Sequence, residues 1–186
     1  MNLPPFKYHP DPVASGSVEP SEASCICCEQ PRGLIYVGPV YAVQDYEESF
    51  CPWCIADGSA HEKFAATFTD EDSIGPDDDD LDEQIRDEIS QRTPGFSGWQ
   101  QEQWLTHCGD GAQFLGKAGH AELLALGPEA ILAVQDATGL PNGPQWESFF
   151  NALDKHQGPT AYLFRCRTCQ TLAAYQDNLC GRLPGT

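Results

Sequence analysis

Short apolar runs, cut repeatedly by proline and glycine, set the pattern of this chain, and no uninterrupted apolar stretch approaches the 18 residues of a membrane span. Pro4, Pro5, Pro10, Pro12 and Pro20 impose an extended, non-helical start. Leu34 to Val43 is rich in β-branched and aromatic side chains and predicts a strand pair broken at Gly38-Pro39. Helices are predicted over Ile55 to Phe68, Leu81 to Gln91, Ala121 to Gly127, Glu129 to Ala137 and Gln145 to His156. Pro128 falls at a favoured first-turn position, and Trp146, Phe149, Phe150 and Leu153 share one face of the last of these. Trp99 and Trp104 predict a further short helix running to Cys108, and Thr160 to Phe164 reads as a strand. No internal repeat is visible beyond the spacing of the cysteines.

Together these elements predict a single loop-rich α+β domain over 1–186. Its zinc-knuckle core, treble-clef or ribbon-like, occupies 25–68; an acidic loop covers 69–80, a mainly helical stretch 81–156, and a strand with a third cysteine pair 157–186. Asp77 to Asp80 form an unbroken acidic run ahead of a helix, where their charge favours the helix N-terminus. The run lacks the glycine and distal glutamate of a calcium-binding loop.

Charge narrows the function classes. Ten basic against 28 acidic residues leave a net charge of -18, which argues against nucleic acid and against an anionic membrane surface. A basic protein partner suits it better. The N-terminus has no apolar signal-peptide core, and nine cysteines, an odd number in mostly close pairs, fit a reducing compartment; a cytoplasmic location is expected.

The cysteines carry the chemistry. Cys25–Cys28, Cys51–Cys54 and Cys166–Cys169 are Cys-x-x-Cys pairs, and two such pairs supply the four thiolates of a tetrahedral zinc site. The first two lie 22 residues apart, close to knuckle spacing, so Cys25, Cys28, Cys51 and Cys54 are the first expected metal site. Cys27 offers a third thiol for the two places of its cluster. Cys166 and Cys169 form a half-site whose nearest further donors are Cys108 and His107, with Cys180 and His120 behind them. Because adjacent residues seldom both ligate one ion, Cys108 is taken with Cys166 and Cys169 as the second expected site and His107 as a packed or surface histidine. Pairing of 166/169 with 51/54 is the other arrangement the spacing permits.

No catalytic residue is assigned. The enzyme alternatives are a thiol oxidoreductase using Cys51 and Cys54 ahead of a helix, and a hydrolase with an open zinc position. The preferred reading is a zinc-binding structural or interaction protein.

Leu3-Pro-Pro-Phe-Lys-Tyr-His-Pro-Asp-Pro12, the Cys25–Cys28 cluster, Phe50-Cys-Pro-Trp-Cys-Ile-Ala-Asp-Gly-Ser59 with Lys63-Phe64, Arg92-Thr-Pro-Gly-Phe96, Gly98-Trp-Gln-Gln-Glu102 with Trp104, His107-Cys108, and Tyr162-Leu-Phe-Arg-Cys166 resemble the CbrC family. These are small cysteine-rich bacterial proteins whose namesake is associated with colicin tolerance. The resemblance implies a bacterial cytosolic protein with cysteine metal knuckles and a possible contribution to toxin tolerance, and it brings no catalytic residues. In that family a further cysteine often follows the His-Cys pair. Here Ala112 stands near its place, which implies a second site short of one thiolate.

Overall fold

The computed structural model describes residues 3–76, 78 and 80–177, so Cys180, one of the reserve donors, lies outside the described residues. Among the described residues, three small antiparallel sheets and six α-helices make up a mixed α+β protein.

The first unit is a hairpin. Strand β1 (Val18–Ser24) pairs antiparallel with β2 (Pro31–Tyr36), and Cys25 to Cys28 lie in the connection between them. Pro20 is tolerated because a two-stranded sheet has only edges. The strand pair predicted over 34–43 is therefore displaced: its first residues belong to β2, whose partner lies upstream. Beyond Tyr36 the chain turns away, with the tyrosine hydroxyl donating to the Pro39 carbonyl (2.8 Å), and Tyr41 bridges to Thr67 instead.

The helix predicted from 55 to 68 is two short ones, α1 (Pro52–Ala56) and α2 (Ser59–Phe64). They part at Gly58, whose φ of 81° no helix accommodates, and Ala65 at φ 50° ends the second. A 3-10 turn at Glu71–Ser73 follows, and then α3 (Glu83–Arg92), capped by the Asp82 carboxylate accepting from the Gln84 amide at 2.9 Å.

No helix forms between Trp99 and Cys108. The two indoles face different surroundings: Trp104 is fully buried and Trp99 is 53% exposed. The Trp104 backbone bridges to Ile74, and the Trp99 amide donates to the Asp177 carboxylate at 2.7 Å, so these backbone groups are committed to tertiary partners. The stretch 81–156 also holds three strands: β3 (Thr106–His107), β4 (Asp110–Gly111) and β5 (Gln113–Ala118). Glycines 109, 111 and 116 hide them from a periodicity reading.

Helices α4 (His120–Leu126), α5 (Pro128–Thr138) and α6 (Pro144–Ala152) precede β6 (Thr160–Arg165) and β7 (Leu172–Asp177). Strands β5, β6 and β7 form one antiparallel sheet with β6 in the middle. Strand alternation divides the core across it. Ala161 and Leu163 pack with Leu123, Ala130, Val134 and Trp146 of the three helices. Tyr162 and Phe164 join an aromatic cluster with Phe96, Trp104 and Phe114, the rings of Phe96 and Phe114 stacked at 3.8 Å. A third cluster gathers Phe50, Ile55, Phe68 and Tyr36 around the first cysteines. No helix among the described residues is long and apolar enough to cross a membrane.

Candidate metal centres

Two elements build the first centre. At the tip of the β1–β2 hairpin the Cys25 amide donates to the Gln30 carbonyl (3.1 Å) and the Glu29 amide returns to the Cys25 carbonyl (2.7 Å). Glu29 adopts φ 59°, and this tight reversal turns the thiols of Cys25 and Cys28 inward. The other two thiols come from the start of α1, with Cys51 at its cap and Cys54 in its first turn. The four sulfurs lie within 4.8 Å of one another and could hold a metal ion. Cys25, Cys51 and Cys54 are buried, at 1%, 0% and 3% exposure, and Cys28 is half-buried.

Cys27 is not part of this group. Its thiol meets the Ser59 hydroxyl (3.3 Å) and its carbonyl accepts from the Lys63 ammonium (2.9 Å). The two-residue spacing thus selects Cys25 and Cys28.

Electrostatics polarise three of the thiols. Hydrogen bonding from Cys51 pulls the Cys25 thiol down to about 4, helped by the Cys51 backbone amide at 3.3 Å. The same bond pushes Cys51 up, and burial lifts Cys54 to about 12. A bound cation overrides such differences, since a coordinating thiol is deprotonated outright. The Arg32 guanidinium, held in its charged form first by a hydrogen bond to Cys28, stands 5.6 Å over the Trp53 ring.

The second centre repeats the first knuckle at the other end of the chain. In the β6–β7 hairpin the Cys166 amide donates to Thr171 (2.9 Å), the Gln170 amide donates back to Cys166 (3.1 Å), and Gln170 has φ 63°. The flanking strand pairs, Ser24 with Pro31 and Arg165 with Leu172, enclose the two knuckles in the same register. The amides of Thr168 and Cys169 both point at the Cys166 sulfur (3.4 Å each), and these bonds, that of Cys169 foremost, lower its thiol to about 7.

Facing this knuckle is the β3–β4 hairpin, in which Thr106 opposes Gly111 and His107 opposes Asp110. Its two-residue loop is Cys108-Gly109, both at positive φ (55° and 69°), as a type I′ turn requires. His107 Nδ1 lies 3.2 Å from the Cys108 sulfur and 3.4 Å from the Cys169 sulfur, and the sulfurs of Cys108 and Cys169 are 3.8 Å apart. His107, Cys108, Cys166 and Cys169 fall within 4.8 Å of one another and could hold a metal ion. Unlike the first group it is open to solvent: only Cys166 is buried.

This geometry revises the expectation for His107. Adjacency disqualifies a pair of ligands when the backbone is extended and successive side chains diverge. A left-handed Cys108 brings the two side chains together, and His107 could supply a fourth donor despite alanine at 112. The cysteines at 166 and 169 do not meet those at 51 and 54. His120 lies elsewhere, its Nδ1 3.1 Å from the Phe150 carbonyl. The signal that could have found His107 is the sequence His-Cys-Gly-Asp, since Cys108-Gly109 is a turn dipeptide that carries one donor in its bend and another just before it.

Asp110 anchors the hairpin. It accepts from the Tyr8 hydroxyl (2.6 Å), pairs with Arg167 beside the knuckle, and has Lys7 at 3.7 Å. Burial raises its carboxyl, but the Tyr8 hydroxyl and the two cations outweigh that and hold it below the usual range.

The fold and these two groups define an α+β protein with paired four-donor clusters, one of four thiols and one of three thiols and an imidazole, each seated on a hairpin turn. The chain belongs to the uncharacterised protein family UPF0167, whose model matches residues 3–178. It is 49% identical over 182 residues to UPF0167 protein Mb2317 of Mycobacterium bovis, covering 95% of this chain and 94% of that one, with the same figures for UPF0167 protein MT2352 of Mycobacterium tuberculosis. UPF0167 protein PA1536 of Pseudomonas aeruginosa is 40% identical over 168 residues, 90% of this chain and 92% of its own. These matches correct the family label drawn from sequence resemblance: the family is UPF0167, not CbrC, and the colicin association attached to that label falls with it. No solved structure matches the chain.

Proposed function

We propose that this protein is a zinc-binding structural and interaction protein with two metal ions, the first fixing its N-terminal module and the second joining two hairpins. The observation that carries this reading is the convergence of eight donors into two separate groups of four. Four thiolates, or three thiolates and an imidazole, are the ligand sets of closed structural zinc sites. A knuckle on a hairpin followed by two ligands in the first helical turn corresponds to treble-clef order. Native mass spectrometry with elemental analysis of the intact chain tests it: two zinc ions per chain are expected, and a metal-free chain with fully titratable thiols would overturn it.

The enzyme alternatives draw less support. A redox Cys-x-x-Cys must present its first thiol to a substrate disulfide, whereas Cys51 is fully buried against Cys25 and Cys28. A hydrolytic zinc needs an open coordination position, and each group here already offers four donors.

For the partner, we infer a basic protein. Glu71, Asp72, Asp80, Asp82, Glu83 and Asp87 are all exposed along the 3-10 turn, the loop and α3, within a chain of net charge -18. A surface of one sign steers an oppositely charged partner and makes its association salt-dependent.

A further inference from the structure

The two clusters differ in one respect that bears on chemistry: access. In the first, three of four cysteines are buried in a core cluster that includes Phe50, with Phe64 packed against it and the two rings meeting edge to face at 5.3 Å. In the second, Cys108 and Cys169 are exposed with their sulfurs 3.8 Å apart, and Cys166 is buried at 2%.

We infer that the second cluster is an oxidation site: a peroxide converts Cys108 and Cys169 to a disulfide and expels the metal, while the first cluster keeps its own. This rests on the metal reading above. Thiolate character and exposure together decide which cysteine is oxidised, and metal coordination supplies the first to both clusters while only the second has the other. The approach needed is small, from 3.8 Å to the ~2.05 Å of a disulfide bond. The turn carrying Cys108 is the tip of a hairpin with two-residue strands, so the movement falls on a short element.

The chemistry balances without a further reactant. The thiolate of one cysteine attacks a peroxide oxygen; the O–O bond breaks, hydroxide leaves, and a sulfenic acid forms. The second thiolate attacks that sulfur, the S–S bond forms, and the sulfenic oxygen leaves as hydroxide. Two protons from solvent turn the two hydroxides into water. The two sulfurs lose two electrons in all, and the peroxide gains them. His107 and Cys166 then remain as the only donors of the four, too few to retain the ion. The disulfide takes the metal's place as the tie between the β3–β4 and β6–β7 turns, so the junction persists after the ion is gone.

The test uses the intact metal-loaded chain titrated with hydrogen peroxide and followed by native mass spectrometry and disulfide mapping. The expected result is loss of one metal ion of two, a Cys108–Cys169 crosslink, and recovery of the second ion after reduction with zinc present. Cys27→Ala, which alters a thiol outside both groups, is expected to behave identically, and Cys108→Ser to keep one ion and form no such crosslink. Simultaneous loss of both ions, a crosslink confined to Cys166 and Cys169, or retention of both ions at excess peroxide would overturn the inference and leave the two-metal reading standing. A chain that carries no second ion before peroxide is added would overturn both.

Discussion

Cys108 and Gly109 both take left-handed backbone conformations, and that detail decides which donors the second cluster can use. His107→Ala is expected to lower occupancy of the second cluster while one metal per chain remains, read by native mass spectrometry at limiting zinc; undiminished occupancy would remove the histidine from the ligand set. A second residue-scale effect comes from His9, which is buried with Nδ1 donating to the Pro94 carbonyl (2.6 Å) and Nε2 accepting from the Ser15 hydroxyl (2.7 Å). Burial depresses its pKa to about 4 from an ordinary 6.5. A depressed folded-state value means that His9 contributes its full stability above about pH 6.5, and that this is lost as the pH falls toward 4. The contribution is on the order of 3 kcal/mol. Urea unfolding of wild type and His9→Asn at pH 7 and pH 4.5 is expected to show the gap between them shrinking at the lower pH.

At the scale of elements, the hairpins do the positioning. The β3–β4 arm has almost no sheet of its own and depends on Asp110, which binds Tyr8, Lys7 and Arg167 from two other segments. Asp110→Ala is expected to cost about 1–2 kcal/mol in urea unfolding, with weaker metal retention at the second cluster and an unchanged first. The cysteine pairs were legible in the sequence because their spacing is itself the signal, and α3, α5 and α6 were legible from periodicity and caps. Of the strands that carry the knuckles, β6 was legible over Thr160 to Phe164 and β2 only in its last residues, while β1 and β7 were not. β1 reads Val-Glu-Pro-Ser-Glu-Ala-Ser and β7 Leu-Ala-Ala-Tyr-Gln-Asp, both too polar or too small to look like strands alone. Their strand character comes from pairing across a knuckle turn, which acts between segments and leaves no local pattern. Trp99 to Cys108 failed for a related reason: aromatic spacing suggested one helical face, while Asp177 and Ser73 claim the backbone amides of Trp99 and Trp104.

For the whole molecule, metal and charge are the two levers. The first cluster shares its core with Phe50, Ile55 and Phe68, so stripping the ions with a strong chelator is expected to lower the Tm by 10 °C or more and to release the N-terminal module first. Calorimetry with and without added zinc checks this, and a Tm indifferent to metal would contradict it. The acidic surface makes a second demand. Affinity for a basic protein captured by this chain is expected to fall at least tenfold between 50 and 300 mM salt, measured by titration calorimetry, because the screening length of exposed charges shortens from roughly 14 Å to roughly 6 Å over that range.

The distribution of the two knuckles along the chain also fixes a timetable for making the protein. All four donors of the first centre lie between residues 25 and 54, so it can close while the ribosome is still adding the rest. The second needs Cys169, and its donors at 107 and 108 must wait through the synthesis of β5, three helices and β6 before their partners exist. On the two-metal reading proposed above, newborn chains pass through a stage with one centre formed and two unpaired donors waiting, and a shortage of metal during translation would strike the later centre.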